Sequence, residues 1–126
     1  KRLGLAVVLT GFAVGFAGGA QAQNADAGED VFKKCRACHD VGPDAKNKVG
    51  PLLNGIVGRK SGTVDGFNYS DANKAARAAG LVWDDEKLLK YFEDPRAFMP
   101  GNKMAFAGVK DEQDRKDLLA YLKKFK

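Results

Sequence analysis

The sequence predicts an all-α domain of short helices joined by long loops, and a domain that lacks part of its own interior. Three observations predict it. Helix start and stop signals recur along the chain without an alternating strand pattern. Two long segments punctuated by glycine and proline interrupt them. The stretch after residue 22 holds 104 of the 126 residues, enough for one small core and too few for two.

The elements follow in chain order. Lys1 and Arg2 precede "LGLAVVLTGFAVGFAGGAQA", which closes on Ala20-Gln21-Ala22. A positive start, an apolar middle and a small-residue close are the layout of a secretory signal. Residues 1–22 are therefore expected to be a cleaved signal peptide and 23–126 the working domain. An uncleaved anchor is the alternative, since about 20 apolar residues span a bilayer; Gly11, Gly15, Gly18 and Gly19 favour cleavage. Removing Lys1 and Arg2 from the 21 basic residues leaves 19 against 16 acidic ones, a net charge of +3. That modest balance, on an exported chain, argues against nucleic acid as a partner.

"AGEDVFKKCRACH" reads as a first helix, with Glu29 and Asp30 in its opening turn and Lys33, Lys34 and Arg36 toward its end, as the helix dipole favours. "SDANKAARAAG" offers Ser70 as N-cap and Gly80 as stop. "DDEKLLKYFEDP" starts at Asp84 and ends before Pro95. From about Asp111 a last helix places Leu118, Tyr121, Leu122 and Phe125 on one apolar stripe. Between them, residues 40–69 and 95–108 show little periodicity. Loops beyond about 12 to 15 residues are uncommon in a small domain unless they serve a function or fold around something. The missing interior is then expected to come from a bound group.

"KKCRACHD", residues 33–40, says which group. Cys35 and Cys38 are three apart and His39, the only histidine, follows directly. At about 100° per helical residue, all three point into one space. Cys-x-x-Cys-His is the attachment pattern of c-type haem, in which two thiols form thioethers and the imidazole reaches the iron. A structural zinc site needs four ligands, and no further Cys or His remains. A thioredoxin-like dithiol would want a βαβ pattern. A disulfide closing so small a loop would stabilise little. One covalently attached haem c is the reading that remains.

With His39 used on one face of the iron, the candidates for the other are Met99 and Met104, both in "MPGNKMAF". Methionine is usually core filling, but a Pro-Gly turn can fold a side chain back onto a cofactor. Chemistry alone does not choose between the two sulfurs.

The stretches "CRACH", "KVGPLLNGIVGRKSG", "FNYSDAN", "LVW", "YFEDPRAFMPGNKMAFAGVK" and "DLLAYLKK" resemble class I cytochrome c, most nearly the bacterial periplasmic c2 type, over residues 26–126. The family's axial methionine sits in Pro-Gly-x-Lys-Met-x-Phe. The resemblance therefore implies Met104 as sixth ligand, with His39 and Met104 on the metal and Cys35, Cys38, His39 and Met104 holding the cofactor. It implies that the Pro51 carbonyl orients His39, that Arg59, Tyr69 and Trp83 bond the propionates, and that Tyr91 and Asn73 belong to a polar network near Met104. Met99 falls where the family has an aliphatic residue. Departures are a three-residue longer stretch between Asn73 and Trp83, Asn102 where Thr is common, and acidic Asp111 and Glu112 where basic residues are common.

Two ligands close both faces of the iron, and a soft neutral thioether favours the ferrous state. The implied function is single-electron transfer at an exposed haem edge by a monomeric, periplasmic carrier, not an enzyme. Lys34, Lys48, Arg96, Lys103 and Lys110 would form a basic face, docking briefly to a cytochrome bc complex and to a terminal oxidase or photosynthetic reaction centre. The alternative is a gas-binding or peroxidatic haem protein with a displaceable methionine.

Overall fold

The computed structural model describes residues 23–126 together with Gly11 and Gly15; the rest of the expected leader lies outside the described residues. Among the described residues there are five helices and no sheet: α1 (Ala25–Phe32), α2 (Asp71–Ala78), α3 (Asp85–Glu93), α4 (Pro95–Phe98) and α5 (Glu112–Leu122). The all-α expectation holds.

The two ends of the domain make the frame. α1 starts at Asn24, whose side chain accepts from the amides of Asp26 and Ala27, and α5 starts at Asp111, which accepts from Asp114. They cross where Gly28 lies against the Asp117 carbonyl, so closely that a Cβ there would collide with it. The buried Asp117 carboxylate accepts from the Asn24 amide at 2.9 Å and from Gln113 at 2.9 Å, tying the start of α1 to α5. Around the crossing, Val31 and Phe32 join Leu118, Leu119, Tyr121 and Leu122 in the core. Phe32 and Tyr121 stack with centroids 5.4 Å apart.

The first helix is shorter than the sequence suggested. It ends at Phe32, not at His39. Beyond it the winding tightens: Lys33, Lys34 and Cys35 bond three residues back, while Arg36 and His39 bond four back. The mixed spacing breaks regular α-helix yet keeps the cysteines near the core.

The stretch 74–82, whose shape the sequence left open, is the body of α2 and its stop. Ser70 caps the start. At the end Gly80 takes φ +82°, its N–H bonds Arg77 and the Leu81 N–H bonds Ala76, a pair of reversed bonds for which glycine is suited. Ser61 then pairs with Leu81, and Trp83 with Arg59, around a single antiparallel bridge between Lys60 and Val82. That pairing anchors the glycine-rich loop against the strand leading into α3. α4 is an element the sequence reading missed: Asp94 both ends α3 and caps α4, with Pro95 at its first position.

Candidate functional site

The loops and helices enclose a cavity of about 320 Å³ lined mainly by apolar side chains, among them Leu53, Ile56, Trp83, Leu88 and Phe106. This is the missing interior. The cavity receives Cys35, Cys38 and His39 from the stretch after α1, and Met104 from the loop before α5.

His39 is held in one orientation. Its Nδ1 lies 2.7 Å from the Pro51 carbonyl, so that nitrogen carries the proton and donates, leaving Nε2 with a free lone pair. Gly50 packs against the ring so tightly that a Cβ would collide with it. Burial pulls the imidazole pKa below its ordinary value; the Pro51 bond opposes this, and the charges of Arg59 and Lys48 add to it. The ring is therefore neutral and ready to ligate.

Cys35 and Cys38 form no disulfide and both line the cavity, so both sulfurs are available for thioether bonds to a bound group; before attachment, burial pushes the Cys35 thiol up to about 11. Among the described residues no group of three or more His, Cys, Asp or Glu side chains could hold a metal ion.

The two methionines part company. Met99 is 6 % exposed within the protein core and is not among the cavity-lining residues, whereas Met104 lines the cavity. Tyr91 donates its hydroxyl to the Met104 sulfur at 3.5 Å. Burial raises that phenol to about 12, keeping it a donor. Behind it, Trp83, Tyr91 and Phe98 pack ring on ring, with centroids 4.8 to 5.7 Å apart.

Arg59, Tyr69 and Trp83 all reach the cavity. Arg59 donates to the Leu52 and Asn54 carbonyls at 3.1 and 3.2 Å. Burial lowers its pKa, and among the described residues it has no carboxylate partner. A half-buried cation without a carboxylate partner fits the carboxylates of a haem. Asn73 lines the cavity, but its side chain bonds Ser70 and Ser61 rather than Tyr91 or Met104.

Of the expected basic face, Lys34 and Lys103 line the cavity and are exposed, beside exposed Val49. Lys48 instead donates to the Arg36 carbonyl and Lys110 to that of Glu93, and Arg96 sits exposed on α4. Sequence reasoning missed Gly50 and treated Asn102 only as a departure. The available signal was the Asn-x-Met spacing, since asparagine often bonds the amide two residues on.

The model of the family described as Cytochrome c matches residues 25–126. Cytochrome c2 of Blastochloris viridis is 58 % identical over 106 residues, 84 % of this chain and 81 % of that protein. Cytochrome c-550 of Ancylobacter novellus is 57 % identical over 98 residues, 78 % of this chain and 92 % of the relative. The solved structure of cytochrome c2 from Rhodospirillum centenum superposes with a TM-score of 0.77 at 49 % identity, covering 81 % of this chain and 98 % of that one. The apolar cavity in the core and the Cys-x-x-Cys-His run that lines it thus have their explanation: the chain belongs to the cytochrome c family, of the c2 type, an electron carrier with covalently bound haem c.

Proposed function

We propose that the protein shuttles single electrons in the periplasm with His39 and Met104 as the two axial ligands and Cys35 and Cys38 as the thioether anchors. The observation that carries this is the convergence of one oriented, neutral imidazole and one hydrogen-bonded thioether on a single apolar cavity. When bound, the haem supplies an iron that gains or loses one electron. The chain's own residues do the rest. Pro51 and Gly50 hold the ring of His39, so its ligating nitrogen does not reorganise as the iron charge changes. Tyr91 donates to the Met104 sulfur, drawing electron density from it. Arg59 supplies the positive charge that haem carboxylates require.

His39 and Met104 would together hold the metal and leave no place for a substrate on it, which supports a carrier and not an enzyme. Lys34 and Lys103 at the cavity give a basic rim for brief docking. Such a rim suits acidic surfaces on a cytochrome bc complex and on an oxidase or reaction centre. Among the described residues no helix is long and apolar enough to cross a membrane.

The test is optical. A far-red sulfur-to-iron charge-transfer band in the oxidised protein should vanish in Met104→Ala and survive in Met99→Leu. Loss of the band with Met99→Leu instead would transfer the ligand role to Met99.

A further inference from the structure

Asn102 sits two residues before Met104 and lines the same cavity, half-buried. Its side-chain amide makes three hydrogen bonds. The NH2 group donates to the carbonyls of Pro95 at 2.9 Å and Met99 at 2.8 Å, and the oxygen accepts from the Met104 amide at 2.8 Å. Two carbonyls require the nitrogen on one side and an N–H requires the oxygen on the other, so the partners fix which way the amide faces. Pro95 is the first residue of α4 and Met99 its C-cap. Each carbonyl also accepts a backbone N–H, Pro95 from Met99 at 3.0 Å and Met99 from Asn102 at 3.2 Å, so the Asn102 side chain adds a second bond to each. One side chain therefore ties both ends of α4 to the turn that delivers Met104. The Pro100-Gly101 turn it bridges carries φ +85° at Gly101. A threonine at this position has a single donor and could not serve both carbonyls.

We infer that Asn102 is a positioning residue for Met104: it latches the methionine-bearing turn to α4 and so opposes displacement of the thioether. The inference rests on Met104 being the sixth ligand. An outside ligand that takes Met104's place must first carry this turn away from α4. Weakening the latch therefore lowers the cost of displacement.

The test is an imidazole titration of the oxidised, haem-loaded protein, followed by loss of the far-red band, in the native chain, Asn102→Ala and Asn102→Asp. The aspartate variant preserves volume and the acceptor to Met104 but removes both donors, which separates hydrogen bonding from packing. Both variants should bind imidazole about tenfold more tightly, equivalent to ~1.4 kcal/mol, as expected for losing two or three hydrogen bonds. Asn24→Ala, which removes the cap of α1, should lower the unfolding midpoint and leave imidazole affinity native. Native affinity in both Asn102 variants, with a band that still depends on Met104, overturns the latch alone. Equal tightening in Asn24→Ala also overturns it, because general destabilisation would then explain the effect. A band that survives Met104→Ala overturns the ligand reading and the latch with it.

Discussion

At Gly50 the backbone leaves room for one side chain only, the imidazole of His39. Gly50 also donates its N–H to the Cys38 carbonyl and accepts from Lys48, so it has little freedom to retreat. Gly50→Ala should push the ring off the Pro51 carbonyl and destabilise the protein by about 1–3 kcal/mol, the usual cost of overpacking. A denaturant melt of the haem-loaded variant measures this, and a native midpoint would show that the ring relocates freely. Cys35, Cys38 and His39 were legible in the sequence because their chemistry depends on spacing along the chain. Gly50 was not, because it acts against the His39 ring that only the folded loop brings within reach, and of the three Asn102 bonds only the one to Met104 had a local signal. Met104 lies between these cases: chemistry left two sulfurs open, the family pattern chose one, and burial separates them.

The helices were legible where a capping side chain announces them. Ser70, Asp84 and Asp111 each accept from the backbone amide three residues on, as their places before apolar runs suggested. α4 was not legible, since four residues carry no periodicity and its cap, Asp94, read as the end of α3. The end of α1 was overrun because helix-favouring residues continue to His39 while the hydrogen bonds change spacing after Phe32. Asp84 allows a test by pH. The side-chain hydrogen bond from Lys87 holds its pKa below the ordinary carboxylate value, the backbone bond from Lys87 adding to this. A folded-state pKa below the unfolded one contributes stability at neutral pH, and that contribution is lost as pH falls through the folded value. Asp84→Asn keeps an accepting oxygen for the Lys87 amide and loses the charge. Urea midpoints of native and variant should therefore differ at pH 7 and draw together in acid. A gap that stays constant with pH would show that the charge of Asp84 contributes nothing.

At the scale of the whole molecule, the fold is a ring of short elements around an apolar gap of about 320 Å³. The α1–α5 crossing and the aromatic cluster of Trp83, Tyr91 and Phe98 pack side chain against side chain. The loops from 40 to 69 turn instead on side-chain anchors such as Asn54 to Gly42 and Asn47 to Leu52. Such anchors stabilise too little to close loops of that length alone. The haem-free double variant Cys35→Ser, Cys38→Ser should thus show largely unfolded circular dichroism at room temperature; native helix content without haem would refute this. The need for a bound group was legible from loop length and glycine content, whereas the course of the loops was not, because it rests on single anchors such as Asn54 to Gly42 that no periodic pattern announces.

Closed coordination by His39 and Met104 is the central claim of the proposed function. The most direct measurement is the absorption spectrum of the reduced native protein at neutral pH under carbon monoxide. No change should appear in the native chain, and a carbon monoxide complex should form in Met104→Ala. Ready formation of the complex by the native protein would contradict closed coordination and point to a gas-binding or peroxidatic haem protein instead.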